Sequence, residues 1–321
     1  AGLCFSLFIM LPMDSQVRQL NEEAYARLNR EYGENGSQEE KKGTFFRTQD
    51  DQDLPLNAAL VRGGSSMSGY FPSGCEKTYV EGMEKLGYLT PWVSVRSWGG
   101  TQISDDLLGI AADDGAFPGG VWFSDTLEEM RISYEEACSE GPLAVQAGLG
   151  RMLTGEELVT RLSWGELPMD AEGYRLLDLP EKCALYLDAA REAGLLSVWV
   201  DDREMIFPEG ELRESPHRLL DLGTYPAGSV RILVKERGGD PLSGSGMALG
   251  ILSAGRWEES AQRILEGNGR AAALKEGQVI LRKQEGEILI HLEARKEAGT
   301  LFLPVAACDG WHVYADGGER K

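Results

Sequence analysis

Cys183-Ala184-Leu185-Tyr186-Leu187 and Leu195-Leu196-Ser197-Val198-Trp199-Val200 read as short alternating runs, the second closed by the turn pair Asp201-Asp202. Runs of that length and composition read as strands. The same texture recurs at Ser229 to Lys235, Val279 to Lys283 and Ile288 to Glu293, with Glu285-Gly286 separating the last two. One helical interruption, Arg256 to Glu266, places Trp257, Ala261, Ile264 and Leu265 on one face. Repeated short strands with such turns imply an antiparallel β-sandwich, jelly-roll-like and with one inserted helix, over residues 166–321.

Toward the C-terminus, the apolar run from Gly299 to Ala307 breaks at Asp309-Gly310. It resumes as Trp311, Val313 and Ala315 alternating with His312, Tyr314 and Asp316 before Gly317. Asp-Gly suits the left-handed positions of a tight turn. The pattern predicts two strands joined there, with Trp311, Val313 and Ala315 on a buried face. A third strand is expected past Glu319-Arg320-Lys321, so the sandwich reads as truncated.

Toward the N-terminus, residues 44–165 read as a mixed α/β domain, making the fold class α+β. A strand is expected at Thr44 to Thr48, and a helix from Ser73 carrying Tyr79, Met83 and Leu86 and stopping at Gly87. Helical spacing runs from Ser124 to Leu162, with Leu127, Met130, Tyr134, Leu149 and Leu153, and Thr154-Gly155-Glu156-Glu157 has the form of a helix start. Residues 14–43 predict an amphipathic helix (Val17, Leu20, Ala24, Leu28, Tyr32) and a polar linker. Residues 1–13 are apolar for about half the roughly 20 residues of a spanning helix, and are expected to be the end of a truncated one.

The chain has 32 Lys and Arg against 52 Asp and Glu, a net charge of −20. Both halves are acidic, which repels phosphate backbones and argues against a nucleic-acid partner. The five cysteines are odd in number and contain no CxxC pair, so they form neither a disulfide framework nor a zinc pattern. None of His217, His291 and His312 has a second ligand at helical or finger spacing, and no GxSxG or GxxxxGK[ST] is present.

The segment from Trp92 to Ile110 concentrates chemistry. It holds a strand, a glycine turn and a capped helical turn, with Arg96, Trp98, Asp105 and Asp106 close together. A Trp face packs on pyranose C–H groups while carboxylates and arginine bond hydroxyls, so these residues form a candidate sugar site. The alternative is an aspartate cap on a turn with its tryptophan in the core. An anionic polymer would need Arg47, Arg62 and Arg96 to converge into a local basic patch, and Tyr70 is a further candidate for binding. Adjacent carboxylates in so acidic a chain are no glycosidase pair without a separation in space.

The order Phe45-Phe46-Arg47, Gly69-Tyr70, Leu86-Gly87, then Gly100-Thr101 with Asp105-Asp106-Leu107-Leu108-Gly109-Ile110 resembles the extracytoplasmic region of the bacterial membrane protein family YfhO. Val145-Gln146-Ala147-Gly148-Leu149 with Leu153-Thr154-Gly155, and Leu301-Phe302-Leu303 through Gly310-Trp311 to Asp316-Gly317, are similar to later segments of that family. The resemblance implies a soluble region on the outer face of a multi-span membrane protein, resembling glycosyltransferases that add sugars to envelope polymers such as lipoteichoic acid. It implies a polyprenyl-phosphate sugar donor and a cation or divalent metal for the whole protein, with no cofactor in this region. The catalytic acid is expected outside this chain, leaving Trp98, Asp105, Asp106, Arg96, Arg47 and Tyr70 as candidates for binding a cell-envelope glycan or glycopolymer. The rival expectation is a surface carbohydrate-binding or adhesive module with no enzyme attached.

Overall fold

Along Cys183–Ala189 the side chains alternate between two buried surfaces. Cys183, Leu185, Leu187 and Ala189 enter one apolar cluster, while Ala184 and Tyr186 enter another. A strand covered on both faces reads as a continuous apolar run, which is why this stretch stands out in the sequence. The computed structural model describes residues 26, 47–48, 67, 69–70, 74–91, 94–96, 98–111, 117, 120–124, 140–189, 196–207, 218–236, 239, 241, 246–275, 278–282, 287–292, 299–305, 312–315 and 318–320. The expected helices at 1–13, 14–33 and 125–134 lie outside these residues, apart from the single residue Ala26.

In chain order the elements are β1 (Arg47–Thr48), β2 (Gly69–Tyr70), α1 (Gly74–Lys85), β3 (Ser94–Val95), α2 (Gln102–Leu108), β4 (Ile110–Ala111), β5 (Val121–Phe123), α3 (Pro142–Thr154), β6 (Val159–Ser163), β7 (Arg175–Leu179), β8 (Cys183–Ala189), β9 (Leu196–Val200) and β10 (Arg203–Met205). They continue with β11 (Arg218–Tyr225), β12 (Gly228–Glu236), β13 (Ala248–Ser253), α4 (Ala254–Glu266), β14 (Ala271–Ala273), β15 (Val279–Arg282), β16 (Glu287–Ile290), β17 (Thr300–Phe302), β18 (Val313–Ala315) and β19 (Gly318–Arg320). The fold is α+β with mostly antiparallel sheets.

Two four-stranded antiparallel sheets, β10-β9-β12-β7 and β11-β8-β13-β6, face each other. Leu177, Leu185, Leu187, Val198, Ile232 and Leu249 fill the space between them. Each such side chain removed from water contributes about 1.5–3 kcal/mol. The far side of the second sheet is covered by α2, α3 and α4, whose Ile103, Leu143, Leu153 and Trp257 pack against Tyr186, Leu219 and Leu252. A smaller sheet, β14-β5-β17, closes the same layer, joining a strand near residue 122 to two from beyond residue 270.

Gly250 on β13 faces α3, and a Cβ there would stand 2.4 Å from Cδ2 of the fully buried Leu143. Gly250→Ala is therefore expected to destabilise the protein by about 1–3 kcal/mol, because helix and sheet must separate to admit the methyl. Urea unfolding checks this, and an unchanged midpoint would remove the close approach.

Three sequence expectations are corrected. Thr154-Gly155 ends α3 rather than opening a helix: Gly155 takes the left-handed conformation (φ 78°) and its N–H bonds the Arg151 carbonyl. The residues after it, expected to be helical, form β6 at the edge of the second sheet. At the C-terminus, β17 pairs with β5 instead of with the strand that holds Val313, and β18 pairs with β19, so the partner expected past the chain's last residues is Gly318–Arg320; Trp311 lies outside the described residues. Val313 is exposed rather than on a buried face. The strands expected at Cys183, Leu195, Ser229, Val279 and Ile288 and the helix expected at Arg256 are all present, as is the helix ending before Gly87. Asp201 and Asp202 both adopt positive φ (47° and 66°) in the tight turn between β9 and β10.

Candidate functional site

The helix α2 is seven residues long, too short to hold itself together in water. It is fixed by polar contacts from four other parts of the chain. At its start, Ser104 Oγ accepts the Thr101 N–H at 2.9 Å, and Gly109 ends it in the left-handed conformation. The cap is thus Thr101 with Ser104, not an aspartate. Gln146, fully buried on α3, ties three segments: its Oε1 accepts the Thr101 hydroxyl at 2.6 Å, and its Nε2 donates to the Leu86 carbonyl at 2.7 Å and to Ser104 Oγ at 3.1 Å. Tyr186 on β8 accepts the Gln102 N–H at 3.2 Å.

The two aspartates of α2 point to different partners. Tyr88 donates to Asp105 Oδ1 at 2.5 Å and lies 3.0 Å from Ser104 Oγ. Trp257 of α4 donates its indole N–H to Asp106 Oδ2 at 2.8 Å, with its ring edge-on to Phe117. Tyr88 is seated by Gly100, where any Cβ would fall 2.4 Å from the phenol ring and where φ is 69°. Asp221, opposite Tyr186 in the β11–β8 register, adds a third carboxylate whose charge reaches Asp105.

Burial pushes the Asp105 carboxyl up to about 8; the Tyr88 hydrogen bond pulls the other way, and the charges of Asp106 and Asp221 push further. Burial likewise raises Asp106 to about 7 against the Trp257 hydrogen bond. Burial and the neighbouring Asp105 hold Tyr88 well above a free phenol. Carboxyls in this range carry a proton near neutrality and can donate as well as accept hydrogen bonds.

The sign of the pH dependence follows. With a folded value near 8 against about 4 in the unfolded chain, Asp105 keeps its proton in the folded state where the unfolded chain has lost it. Stability is complete on the acid side, falls from about pH 4 to about pH 8, and then levels. Asp105→Asn preserves an acceptor for Tyr88 without the charge. It is expected to be more stable than the parent at pH 8.5 by about 1–2 kcal/mol, allowing for partial exposure, with no gain at pH 4. Equal loss at both pH values in urea titrations would count against it.

Among the residues anticipated from sequence, Asp105 and Asp106 lie together in this network. Arg47 is in β1, whose backbone runs beside Ile110 just past α2, and Tyr70 is in β2, beside Ser94. Arg96 is half-buried, its N–H on the Leu89 carbonyl at 2.9 Å. Trp98 turns the other way, against the sandwich core and edge-on to Phe207 at 6.2 Å, so it does not join the aspartates. Arg62 lies outside the described residues. Tyr88, Gln146, Tyr186 and Trp257 were not singled out as site residues from sequence. The one local signal was Gln146, a polar residue inside the apolar run Leu143 to Leu149.

Among the described residues, no group of three His, Cys, Asp or Glu is placed to hold a metal, and no helix is long and apolar enough to cross a membrane. Cys183 is a buried thiol. Comparisons with known protein families, with curated proteins and with solved structures each return no match.

Proposed function

We propose that this chain is the extracytoplasmic soluble region of a YfhO-like multi-span membrane protein, a lipid-linked-sugar glycosyltransferase of the cell envelope, and that it binds or positions the glycan acceptor. The observation that carries this reading is the convergence at Gln146. Three segments that separately resemble that family, Leu86-Gly87, Gly100 to Ile110 and Val145 to Leu149, meet through its single side chain. A jelly-roll topology for the sandwich belongs to the same reading. Numbering its strands from β6 to β13, one sheet runs sixth-third-eighth-first and the other fifth-fourth-seventh-second, the order in which two Greek keys wrap.

Protonated Asp105, the less buried of the two carboxyls, suits an acceptor rich in hydroxyls, since a neutral carboxyl offers both donor and acceptor without adding to the charge of −20; Asp106 is buried against Trp257 and supports it from behind. The donor sugar-phosphate, its cation and the catalytic acid belong to the membrane part of the protein. The purified chain is expected to bind an isolated envelope glycopolymer in calorimetric titration, to bind it more weakly as Arg96→Gln, and to transfer no sugar from a polyprenyl-phosphate donor. A folded chain that binds no such polymer, or one that turns over donor by itself, would overturn the reading.

A further inference from the structure

On β12 the side chains of Val230, Ile232 and Val234 fill the space between the two sheets, which turns Arg231, Leu233 and Lys235 to the outer face of the first sheet. The register carries that face sideways: Leu233 pairs with Trp199 of β9, and Trp199 with Glu204 of β10. Cross-strand partners project on the same side, so Glu204, Trp199 and Leu233 form one row. Tyr174, one residue beyond the last β12–β7 pair, continues the row on the other side of Leu233, its ring lying 4.3 Å beneath the Arg231 guanidinium. Two aromatic residues thus flank Leu233 from strands roughly 10 Å apart at the usual strand spacing.

The two rings are covered differently. Arg231 is held over Tyr174 by Asp202 at 3.1 Å and Glu172 at 3.4 Å, and the Tyr174 hydroxyl donates to the same Asp202 oxygen at 2.9 Å, so that ring is closed. Trp199 is half-buried, with Lys235 Nζ 4.2 Å over its ring, and among the described residues no carboxylate pairs with that ammonium. A cation on a flexible stem over an exposed ring is a loose cover. The indole N–H of Trp199 and the carboxylate of the exposed Glu204 likewise bond nothing among the described residues. A ring face, a donor and an acceptor therefore stand side by side with their bonding capacity open.

Chemistry selects what that arrangement holds. A pyranose offers polarised C–H groups to the electron-rich ring that already attracts an ammonium, and hydroxyls to the indole N–H and the carboxylate. A polyanion would meet Glu204, Glu172 and Asp202 on a chain of net charge −20. A purely apolar partner would strip water from Glu204 and Lys235 without pairing them. We propose that the outer face of β9, β10 and β12 is a second carbohydrate-binding surface, which takes an uncharged glycan with one sugar stacked on Trp199 in place of the Lys235 ammonium. The inference rests on the glycan reading given above for its ligand class, and it lies across both sheets from the aspartates of α2.

The test is binding of the purified chain to an array of neutral cello-, malto-, manno- and galacto-oligosaccharides, with calorimetric titration of those retained. Trp199→Ala is expected to weaken binding about tenfold, and Trp199→Tyr, which keeps a ring, to restore most of it and so separate loss of the platform from loss of the fold. Lys235→Ala is expected to tighten binding about two- to fivefold, the factor set by a surface cation–π contact that the sugar no longer has to displace. Retention of no neutral oligosaccharide, binding unchanged in Trp199→Ala, or binding weakened by Lys235→Ala would each overturn the inference. Arg96→Gln reads the other side of the sandwich: weaker glycan binding there with Trp199→Ala silent refutes this surface alone, and the reverse refutes the acceptor reading alone.

Discussion

Gln146→Leu is expected to cost about 3–5 kcal/mol, among the largest effects available from a single polar side chain in this protein. The amide is fully buried and makes three hydrogen bonds, to Thr101, Leu86 and Ser104. Leucine of similar size leaves little cavity, so the loss comes from a stranded Thr101 hydroxyl and Leu86 carbonyl, each about 1–3 kcal/mol when buried without a partner. Thr101→Val by itself should also destabilise. The double variant should lose less than the sum, because removing both ends of a buried hydrogen bond leaves no orphan between them. Urea unfolding of the four proteins measures the coupling, and strict additivity would show that the 2.6 Å contact carries nothing.

The second large effect is at Trp257. Its ring is fully buried between α4 and the second sheet, so Trp257→Ala should cost about 3–5 kcal/mol from the cavity alone. Trp257→Phe keeps most of the volume and removes the indole N–H from Asp106. That hydrogen bond holds the Asp106 carboxyl down, so the phenylalanine variant should raise it above about 7 and extend the pH-dependent loss of stability toward alkaline pH. Carbon-13 titration of the Asp106 carboxyl reads this directly. A value unmoved or lowered in Trp257→Phe would mean that the contact does not stabilise the charged form.

The sandwich was legible where strands carry strong local grammar. Cys183 to Leu187 and Ser229 to Lys235 are apolar runs bounded by turns, and both lie in the middle of their sheets. The edge strand β6 was not, because Thr154-Gly155-Glu156-Glu157 satisfies the spacing of a helix start while the left-handed Gly155 makes it a helix end. The C-terminal hairpin was misjoined for a related reason. Two Asp-Gly pairs offered equally good turns, and only the apolar groups waiting at β5 and Leu274 draw Thr300–Phe302 away from the first. At the site, Asp105 and Asp106 were visible as residues beside a glycine turn. Their setting was not, since Gln146, Tyr186 and Trp257 reach α2 from 42, 84 and 151 residues away, and such meetings are a property of topology.

The small sheet that joins β5 to β14 and β17 also sets a clock. Phe123 pairs with Ala271 and with Thr300, so the helical layer is completed only after nearly the whole described chain has been made. At about 5–20 residues per second, on the order of ten seconds or more separates the synthesis of β5 from that of its second partner. Contacts so distant in sequence also slow refolding in free solution. During that interval Val121 and Phe123, fully buried in the finished protein, are open to any passing strand. The period of synthesis is thus when the chain is most exposed to aggregation, and chaperone demand should track the emergence of residue 300 rather than that of the sandwich.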